Sequence, residues 1–183
     1  MRRANNTKDG PWQTAGALPT LGGMDTARDE RYMRMALRQA REAARLGEVP
    51  VGAVIAQADR VLGQSHNQVE LLKDPTAHAE ILAITQAAAA RGDWRLTDAT
   101  LYVTKEPCPM CAGAIVNARL TRVVWGVTDP LRGGAVSLCN LLQNPRLNHR
   151  VEVTAGVLED DCRRLLQAFF LALRREEPPA ADH

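Results

Sequence analysis

Two short stretches carry the side chains best suited to chemistry. The first, "PTAHAEILAI" at residues 75–84, holds His78 and Glu80 at the start of an apolar segment. The second, "PCPMC" at residues 107–111, places Cys108 and Cys111 three positions apart, so both thiols share one face of a helix that begins there. Free N–H groups and the helix dipole favour thiolates at that position. An imidazole and two thiolates form a zinc ligand set that leaves a fourth position for water.

Glu80 indicates that such a zinc ion would do more than hold the chain together. Two positions apart on an ideal helix, His78 and Glu80 would point about 200° away from each other. Both can address one metal only if the helix directs its amino end at the site. A carboxylate beside a zinc-activated water can take its proton and pass it on. We therefore predict His78, Cys108 and Cys111 as zinc ligands and Glu80 as the catalytic proton shuttle.

A structural zinc site is the alternative reading of the same cysteines. It would need a fourth protein ligand, and the candidates are His66, His149, Cys139 and Cys162. None of these forms a second paired motif, whereas His-x-Glu followed by Pro-Cys-x-x-Cys is the signature of zinc deaminases that act on nucleobases. A non-catalytic, zinc-stabilised RNA-binding module remains a further hypothesis, against which Glu80 argues.

Helices and strands must alternate to bring these stretches together. Apolar spacing predicts helices over residues 26–46, from about 76 to the "RGD" at 91–93, 108–119 and about 158–176, and strands over 49–57, 60–67, 99–104, 121–127 and 149–156. The order predicts an α/β fold, a three-layer α/β/α sandwich around a mixed five-stranded sheet. In the last helix, the inner side is predicted to carry Leu165, Leu166, Phe169, Phe170 and Leu173.

The composition and the terminal segments limit which class of protein this can be. The chain has 183 residues, 45% of them hydrophobic, and a net charge of only +2, which fits one globular domain and does not by itself announce a nucleic-acid partner. We expect residues 1–24 to be a flexible extension, 25–176 a zinc-dependent deaminase domain and 177–183 a disordered tail. No signal peptide or membrane span is recognisable, so a cytoplasmic protein is expected, without a membrane partner or organic cofactor.

Beyond the zinc motif, the sequence resembles the family of bacterial tRNA-specific adenosine deaminases from about Arg31 to Glu176. The matching stretches include "EVPVGAV", "DPTAHAEILA", "DATLYVTKEPCPMCAGAIVNARL", "GGAVSL" and "NHRVEVTAGVLEDDC". The resemblance implies a cytidine-deaminase-like fold, one Zn²⁺ per subunit and a homodimer. It also implies hydrolytic deamination of adenosine to inosine at the wobble position of an arginine tRNA, with the anticodon stem-loop as partner.

The resemblance also assigns residues to substrate binding. Asn67 matches an Asn that reads the flipped nucleotide, Asp129 an acid that contacts a neighbouring sugar, and Phe170 a residue of the RNA groove. Lys105 stands where the family usually has Leu, and we expect it at the catalytic rim, within reach of a phosphate; Ala168 and Leu171 are two further departures. Lys105 and the altered last helix encourage an alternative, a deaminase of free purine or pyrimidine bases such as guanine.

Overall fold

The computed structural model describes residues 26–176, which form five helices and five strands. The helices are α1 (Thr26–Arg45), α2 (Val69–Leu72), α3 (Ala79–Arg91), α4 (Pro109–Asn117) and α5 (Glu159–Glu176). The strands are β1 (Gly52–Gln57), β2 (Arg60–His66), β3 (Ala99–Lys105), β4 (Arg122–Val127) and β5 (Glu152–Thr154). The expected flexible extension and disordered tail lie outside the described residues, and those expectations stay predictions.

The strands form one mixed sheet in the order β2-β1-β3-β4-β5. The β1–β2 hairpin is antiparallel, and β1 also pairs antiparallel with β3. The pairs β3–β4 and β4–β5 are parallel. Parallel neighbours require crossover connections, and α4 supplies the one between β3 and β4. The carboxyl ends of β3 and β4 therefore lie side by side, which is where the segments after them meet.

Two cores lie on opposite faces of the sheet. Along β3, Leu101 and Val103 pack into one core with α3 and α4, whereas Tyr102 packs into the other with α1 and α5. This alternation is the period-two pattern of a strand covered on both faces. The structure therefore confirms the predicted three-layer α/β/α sandwich with a mixed five-stranded sheet.

The helix that carries His78 lies unusually close to the sheet. A Cβ at Gly63 of β2 would stand 2.5 Å from the carbonyl oxygen of Ala83 in α3, which is a severe overlap. Small residues on both sides, glycine in the strand and alanine in the helix, make this approach possible. Close packing of α3 onto β2 fixes the direction of the helix and hence the position of its amino end.

Several predicted boundaries shift in the structure. Helix α3 begins at Ala79 and not near residue 76, because His78 has an extended backbone with φ −71° and ψ 152°. Strand β5 covers three residues instead of the predicted range 149–156, since it is an edge strand that pairs only with β4. The four-residue α2 was not predicted; Leu71 and Leu72 are exposed there, so no apolar periodicity marks it.

The predicted inner face of α5 is wrong in its second half. Leu166 is buried and Leu165 and Phe169 are partly buried, but Phe170 and Leu173 are exposed. The helical spacing of apolar residues therefore continues through Phe170 and Leu173, which the core does not bury. No helix within residues 26–176 has the length and hydropathy needed to cross a bilayer.

Candidate active site

Two helix amino ends converge to form the site. His78 is the N-cap residue of α3 and Cys108 is the N-cap residue of α4, which has Pro109 at its first position. Proline is pre-organised for the start of a helix because its fixed φ matches and its missing N–H is not needed there. Cys111 and Glu80 lie in the first turns of their helices. The end-on arrangement predicted for the His-x-Glu motif is therefore present.

The three expected ligand atoms have the spacing of a zinc site. Nδ1 of His78 lies 3.6 Å from Sγ of Cys108 and 3.5 Å from Sγ of Cys111, and all three atoms lie within 4.8 Å of one another. Tetrahedral zinc with ordinary Zn–N and Zn–S bonds would separate nitrogen from sulfur by about 3.6 Å. The donor set and its geometry thus fit zinc without rearrangement.

No fourth ligand-type side chain of residues 26–176 joins this cluster. Nε2 of His149 donates instead to the carbonyl oxygen of Leu120 at 2.7 Å, and Nδ1 of His66 lies 3.4 Å from Oε1 of Gln39. Cys162 is buried in the core on the other face of the sheet. A site with three protein ligands and an open position is the arrangement of catalytic zinc, and a structural site needs four.

The thiols and the imidazole are electrostatically coupled. A hydrogen bond from the Cys111 thiol, followed by one from His78, lowers the pKa of Cys108 to about 3. The same Cys108 thiolate raises the pKa of Cys111, and burial adds to that rise. The hydrogen bond to Cys108 also raises the pKa of His78. Without metal the cluster therefore holds protons, which a metal ion must displace when it binds.

Glu80 is a buried carboxyl group next to these ligands, with 3% of its surface exposed. Burial raises its pKa, and the charges of the ligands act on it in both directions, His78 lowering the pKa and Cys108 raising it. A carboxyl group whose pKa is raised toward neutrality can both accept and return a proton. The structure therefore places an acid–base group beside the ligand-type cluster.

Asn67 lies at the end of β2, buried beside the start of α3. The neighbouring Gln68 N–H donates to the carbonyl oxygen of Ala77 at 3.0 Å, which ties this segment to the residue before His78. Nδ2 of Asn67 donates to Oε2 of Glu48 at 2.9 Å, and Oε1 of Glu48 accepts the N–H of Leu71 at 2.8 Å. Glu48 is a residue that the sequence reasoning missed.

Lys105 and Asp129 bind each other. Lys105 ends β3, three positions before Cys108, and its Nζ forms an ion pair with Oδ2 of Asp129. Oδ1 of Asp129 accepts the N–H groups of Leu131 and Arg132 at 3.1 and 3.2 Å. The structure thus brings the two predicted substrate-binding residues together, as partners, at the edge of the site.

Glu106 anchors the segment that follows β4, residues 128–138, which we call the rim segment. Its buried carboxylate accepts the N–H of Asp129 at 2.9 Å, those of Val136 and Ser137 at 2.9 Å, and the Ser137 hydroxyl at 2.6 Å. One side chain thus accepts four hydrogen bonds, which hold both ends of the rim segment. Sequence reasoning also missed Glu106, although it directly precedes the Pro-Cys motif.

Glycines let the rim segment lie against the start of α4, the helix that carries Cys108 and Cys111. A Cβ at Gly134 would stand 2.4 Å from the backbone nitrogen of Pro109, and one at Gly133 would stand 2.3 Å from the carboxyl carbon of Glu106. The N–H of Gly134 donates to the carbonyl oxygen of Pro107 at 2.7 Å. Gly134 therefore reflects the close approach of two backbones beside Cys108, and Gly133 the close approach of the backbone to the Glu106 carboxylate.

Phe170 does not join the cluster. It lies on α5, which packs on the face of the sheet opposite α3 and α4, and 43% of its surface is exposed. Its ring makes an edge-to-face contact with Phe169 at a centroid distance of 5.4 Å. A role for Phe170 in binding RNA stays a prediction.

Comparison with known proteins agrees with the site. The family model of the MafB19-like deaminases matches residues 27–174. The chain is 49% identical to a tRNA-specific adenosine deaminase of Bacillus subtilis (strain 168) over 152 residues, which cover 83% of this chain and 94% of that one. It is 44% identical to the protein of that name from Haemophilus influenzae over 150 residues, which cover 81% and 87%.

Solved structures extend the comparison. One, from a study of A-to-I editing by tRNA:A34 deaminases at the wobble position of transfer RNA, superposes with a TM-score of 0.72 at 42% identity, covering 74% of this chain and 99% of that one. A guanine deaminase from Nitrosomonas europaea superposes with a TM-score of 0.67 at 24% identity, covering 76% and 83%, and shares the fold. The chain therefore belongs to the MafB19-like deaminases, and among them to the family of tRNA-specific adenosine deaminases.

Proposed function

We propose that the protein deaminates adenosine to inosine at the wobble position of a tRNA anticodon, that of an arginine tRNA. The observation that carries this proposal is the open three-ligand cluster of His78, Cys108 and Cys111 with the buried carboxyl group of Glu80 beside it. The relatives at 49% and 44% identity are named for this activity. The guanine deaminase alternative has weaker support, since that neighbour is 24% identical.

One zinc ion per subunit is part of the proposal. His78, Cys108 and Cys111 would hold it, and their spacing fits its ordinary bond lengths. When bound, zinc supplies a Lewis acid that lowers the pKa of water toward about 7. The low pKa of Cys108 and the helix amino ends favour the anionic sulfur that such a site requires.

Glu80 moves the protons of the reaction. The overall change adds water at C6 of adenine, breaks the C–N bond to the exocyclic amine and releases ammonia, leaving inosine. Glu80 takes one proton from the attacking water and gives it to the ring nitrogen N1; it then takes the remaining proton of the new C6 hydroxyl group and gives it to the departing amino group, which leaves as ammonia. Its burial suits this double role, because a raised pKa makes the carboxylate a better proton acceptor and leaves its acid form able to give the proton back.

The substrate must present its base outside a stack. An anticodon loop has unstacked bases, so the cost of extruding adenosine is lowest there. In our proposal Asn67 contacts the flipped nucleotide, and Asp129 with Lys105 lies beside the adjoining backbone. We also propose that the enzyme is a homodimer and works in the cytoplasm, as the family resemblance implies.

The test is inosine formation in an arginine-tRNA anticodon stem-loop with adenosine at the wobble position. Free guanine, adenine and cytosine are assayed in parallel for ammonia release. We expect inosine in the RNA and no ammonia from the free bases. Ammonia from a free base without inosine in the RNA would establish the base deaminase alternative instead.

A Glu80→Gln variant tests the assignment of the proton shuttle. The amide keeps the shape of the side chain but cannot accept the proton, so turnover should fall by about 10²- to 10⁴-fold. Zinc content, measured by elemental analysis, should stay at the wild-type value. Wild-type turnover in Glu80→Gln would show that another group moves the proton.

A further inference from the structure

The ion pair between Lys105 and Asp129 lies at the joined ends of two strands. Lys105 is the last residue of β3 and pairs in register with Val127, the last residue of β4. Asp129 lies two positions after Val127, so both side chains start from the carboxyl ends of β3 and β4. The side chain of Lys105 is 29% exposed and that of Asp129 is 11% exposed, which leaves the cation accessible to a ligand from solvent.

Asp129 is the fixed member of the pair. Its Oδ1 accepts the N–H groups of Leu131 and Arg132, and its own N–H donates to Oε2 of Glu106 at 2.9 Å. Burial acts to raise the pKa of Asp129, but the hydrogen bond and charge of Lys105, with the two backbone N–H groups, outweigh burial and lower it. Lys105 ends in a flexible four-carbon stem, so the lysine is the member that can move.

We infer that Asp129 masks Lys105, so that the rim of the site presents a neutral ion pair to the RNA backbone and not a phosphate-binding cation. This inference rests on the proposed RNA substrate. In this inference Lys105 neutralises Asp129 and does not bind a phosphate. An unmasked lysine at the rim would attract any phosphate regardless of sequence, because backbone contacts carry no sequence information.

Single substitutions should unbalance the pair in opposite directions. Asp129→Asn removes the negative charge but keeps an Oδ1 that can accept the two backbone N–H groups, so the rim segment keeps its shape and Lys105 becomes available. Lys105→Leu leaves the carboxylate of Asp129 without its cation. The double variant carries neither charge, and its rim is as neutral as that of the wild type.

Salt dependence measures the masking directly. The variants are made in a Glu80→Gln background, so the labelled anticodon stem-loop is bound but not converted, and the dissociation constant is measured between 50 and 200 mM salt. One additional phosphate contact steepens the slope of log K against log salt by about 0.7 for single strands, and tightens binding about five-fold at 0.1 M. We expect this for Asp129→Asn, an opposite shift for Lys105→Leu, and the wild-type slope for the double variant.

Asp59→Asn is the matched control. It makes the same change of charge in the exposed β1–β2 turn. The register of β1 with β3 places Gln57 opposite Ala99, at the far end of β3 from Lys105. The two ends of β3 are six residue steps apart, a distance of about 20 Å. The Debye length at these salt concentrations is about 10 Å. The control should therefore keep the wild-type slope.

Two results would overturn the inference. An unchanged slope in Asp129→Asn, with a shallower slope in Lys105→Leu, would mean that Lys105 already contacts a phosphate in the wild type. Equal steepening in Asp129→Asn and Asp59→Asn would mean that net charge alone acts. The proposed function is checked separately by inosine formation with Glu80 intact. A wild-type enzyme that edits the stem-loop keeps the proposed function even if the slopes refute masking, and one that forms no inosine in it refutes both.

Discussion

The anchoring of the rim segment by Glu106 leads to a quantitative prediction. Glu106→Gln keeps the size of the side chain but replaces one of its two acceptor oxygens by an N–H₂ donor. Oε1 serves the N–H groups of Val136 and Ser137, and Oε2 serves the N–H of Asp129 and the Ser137 hydroxyl. The amide will place its nitrogen at the Oε2 position, because there only one N–H loses its acceptor, while the hydroxyl can turn to accept.

The magnitude follows from that choice. One buried N–H left without an acceptor costs about 1–3 kcal/mol, and the remaining bonds lose the strength that a charged acceptor gives. We expect Glu106→Gln to lower the free energy of unfolding by about 2–3 kcal/mol. Glu106→Ala removes all four bonds and should cost about 4 kcal/mol or more.

Urea unfolding at equal zinc loading measures these losses. The midpoint should fall in the order wild type, Glu106→Gln, Glu106→Ala, with the dependence on urea unchanged. Hydrogen exchange adds a local readout: the amides of Val136 and Ser137 should exchange faster in both variants. The matched control is Glu70→Gln, because the Glu70 side chain is 72% exposed and, within residues 26–176, its one ion pair is with the exposed Lys73. The free energy of unfolding of this variant should stay within about 0.5 kcal/mol of the wild type.

A wild-type midpoint for Glu106→Gln, together with unchanged exchange at Val136 and Ser137, would refute the reasoning. It would mean that the four hydrogen bonds are replaced by water at no cost, and that the rim segment is held by other contacts. A loss in Glu70→Gln as large as that in Glu106→Gln would also refute it, because burial would then not distinguish the two residues.

Three further predictions concern the surroundings of the site. Gly134→Ala places a Cβ 2.4 Å from the backbone of Pro109, so it should displace the start of α4 and weaken zinc retention against a chelator; equal retention would contradict the close packing. Asp29→Asn removes the carboxylate that accepts two hydrogen bonds from Arg122 at 2.8 and 2.7 Å. Thermal unfolding should show that the free energy of unfolding falls by about 2–4 kcal/mol. An unchanged midpoint would mean that water takes the place of the carboxylate at the guanidinium. The pKa of Asp129 lies below its ordinary value of 3.8, so its negative charge is lost only as pH falls below that value. The difference in salt slope between wild type and Asp129→Asn should therefore persist at pH 5. The difference would vanish at pH 5 if the carboxyl group were neutral there.

The cluster of His78, Cys108 and Cys111 could be predicted because its signals are local. Each of its residues lies at a helix start, and the residues that mark that start are its immediate neighbours, such as Pro109 after Cys108. Short apolar runs likewise indicate the alternation of strands and helices. Those runs predict which elements exist, and the packing of α3 against β2 then brings His78 to the place where the two cysteines lie.

Glu48 and Glu106 could not be predicted because their partners are distant in sequence. Glu106 binds residues 23 to 31 positions away, and Glu48 binds residues 19 and 23 positions away. A single glutamate has no periodicity, and only the folded chain shows that it is buried among donors. Phe170 illustrates the reverse case: helical spacing predicts that it lies on the inner side of α5, but spacing alone does not show which part of that side is buried, and Phe170 is 43% exposed.

The anchoring of the rim segment has a consequence for how this enzyme can change. Glu106 holds mainly backbone N–H groups, which every residue except proline supplies. The outward side chains, such as Leu131 at 84% and Leu138 at 60% exposure, take no part in the hydrogen bonds to Glu106. A library randomised at these two positions would therefore sample new substrate preferences on an unaltered catalytic centre. It should exclude proline at both, because the N–H of Leu131 donates to Oδ1 of Asp129 and that of Leu138 to the carbonyl oxygen of Gly133.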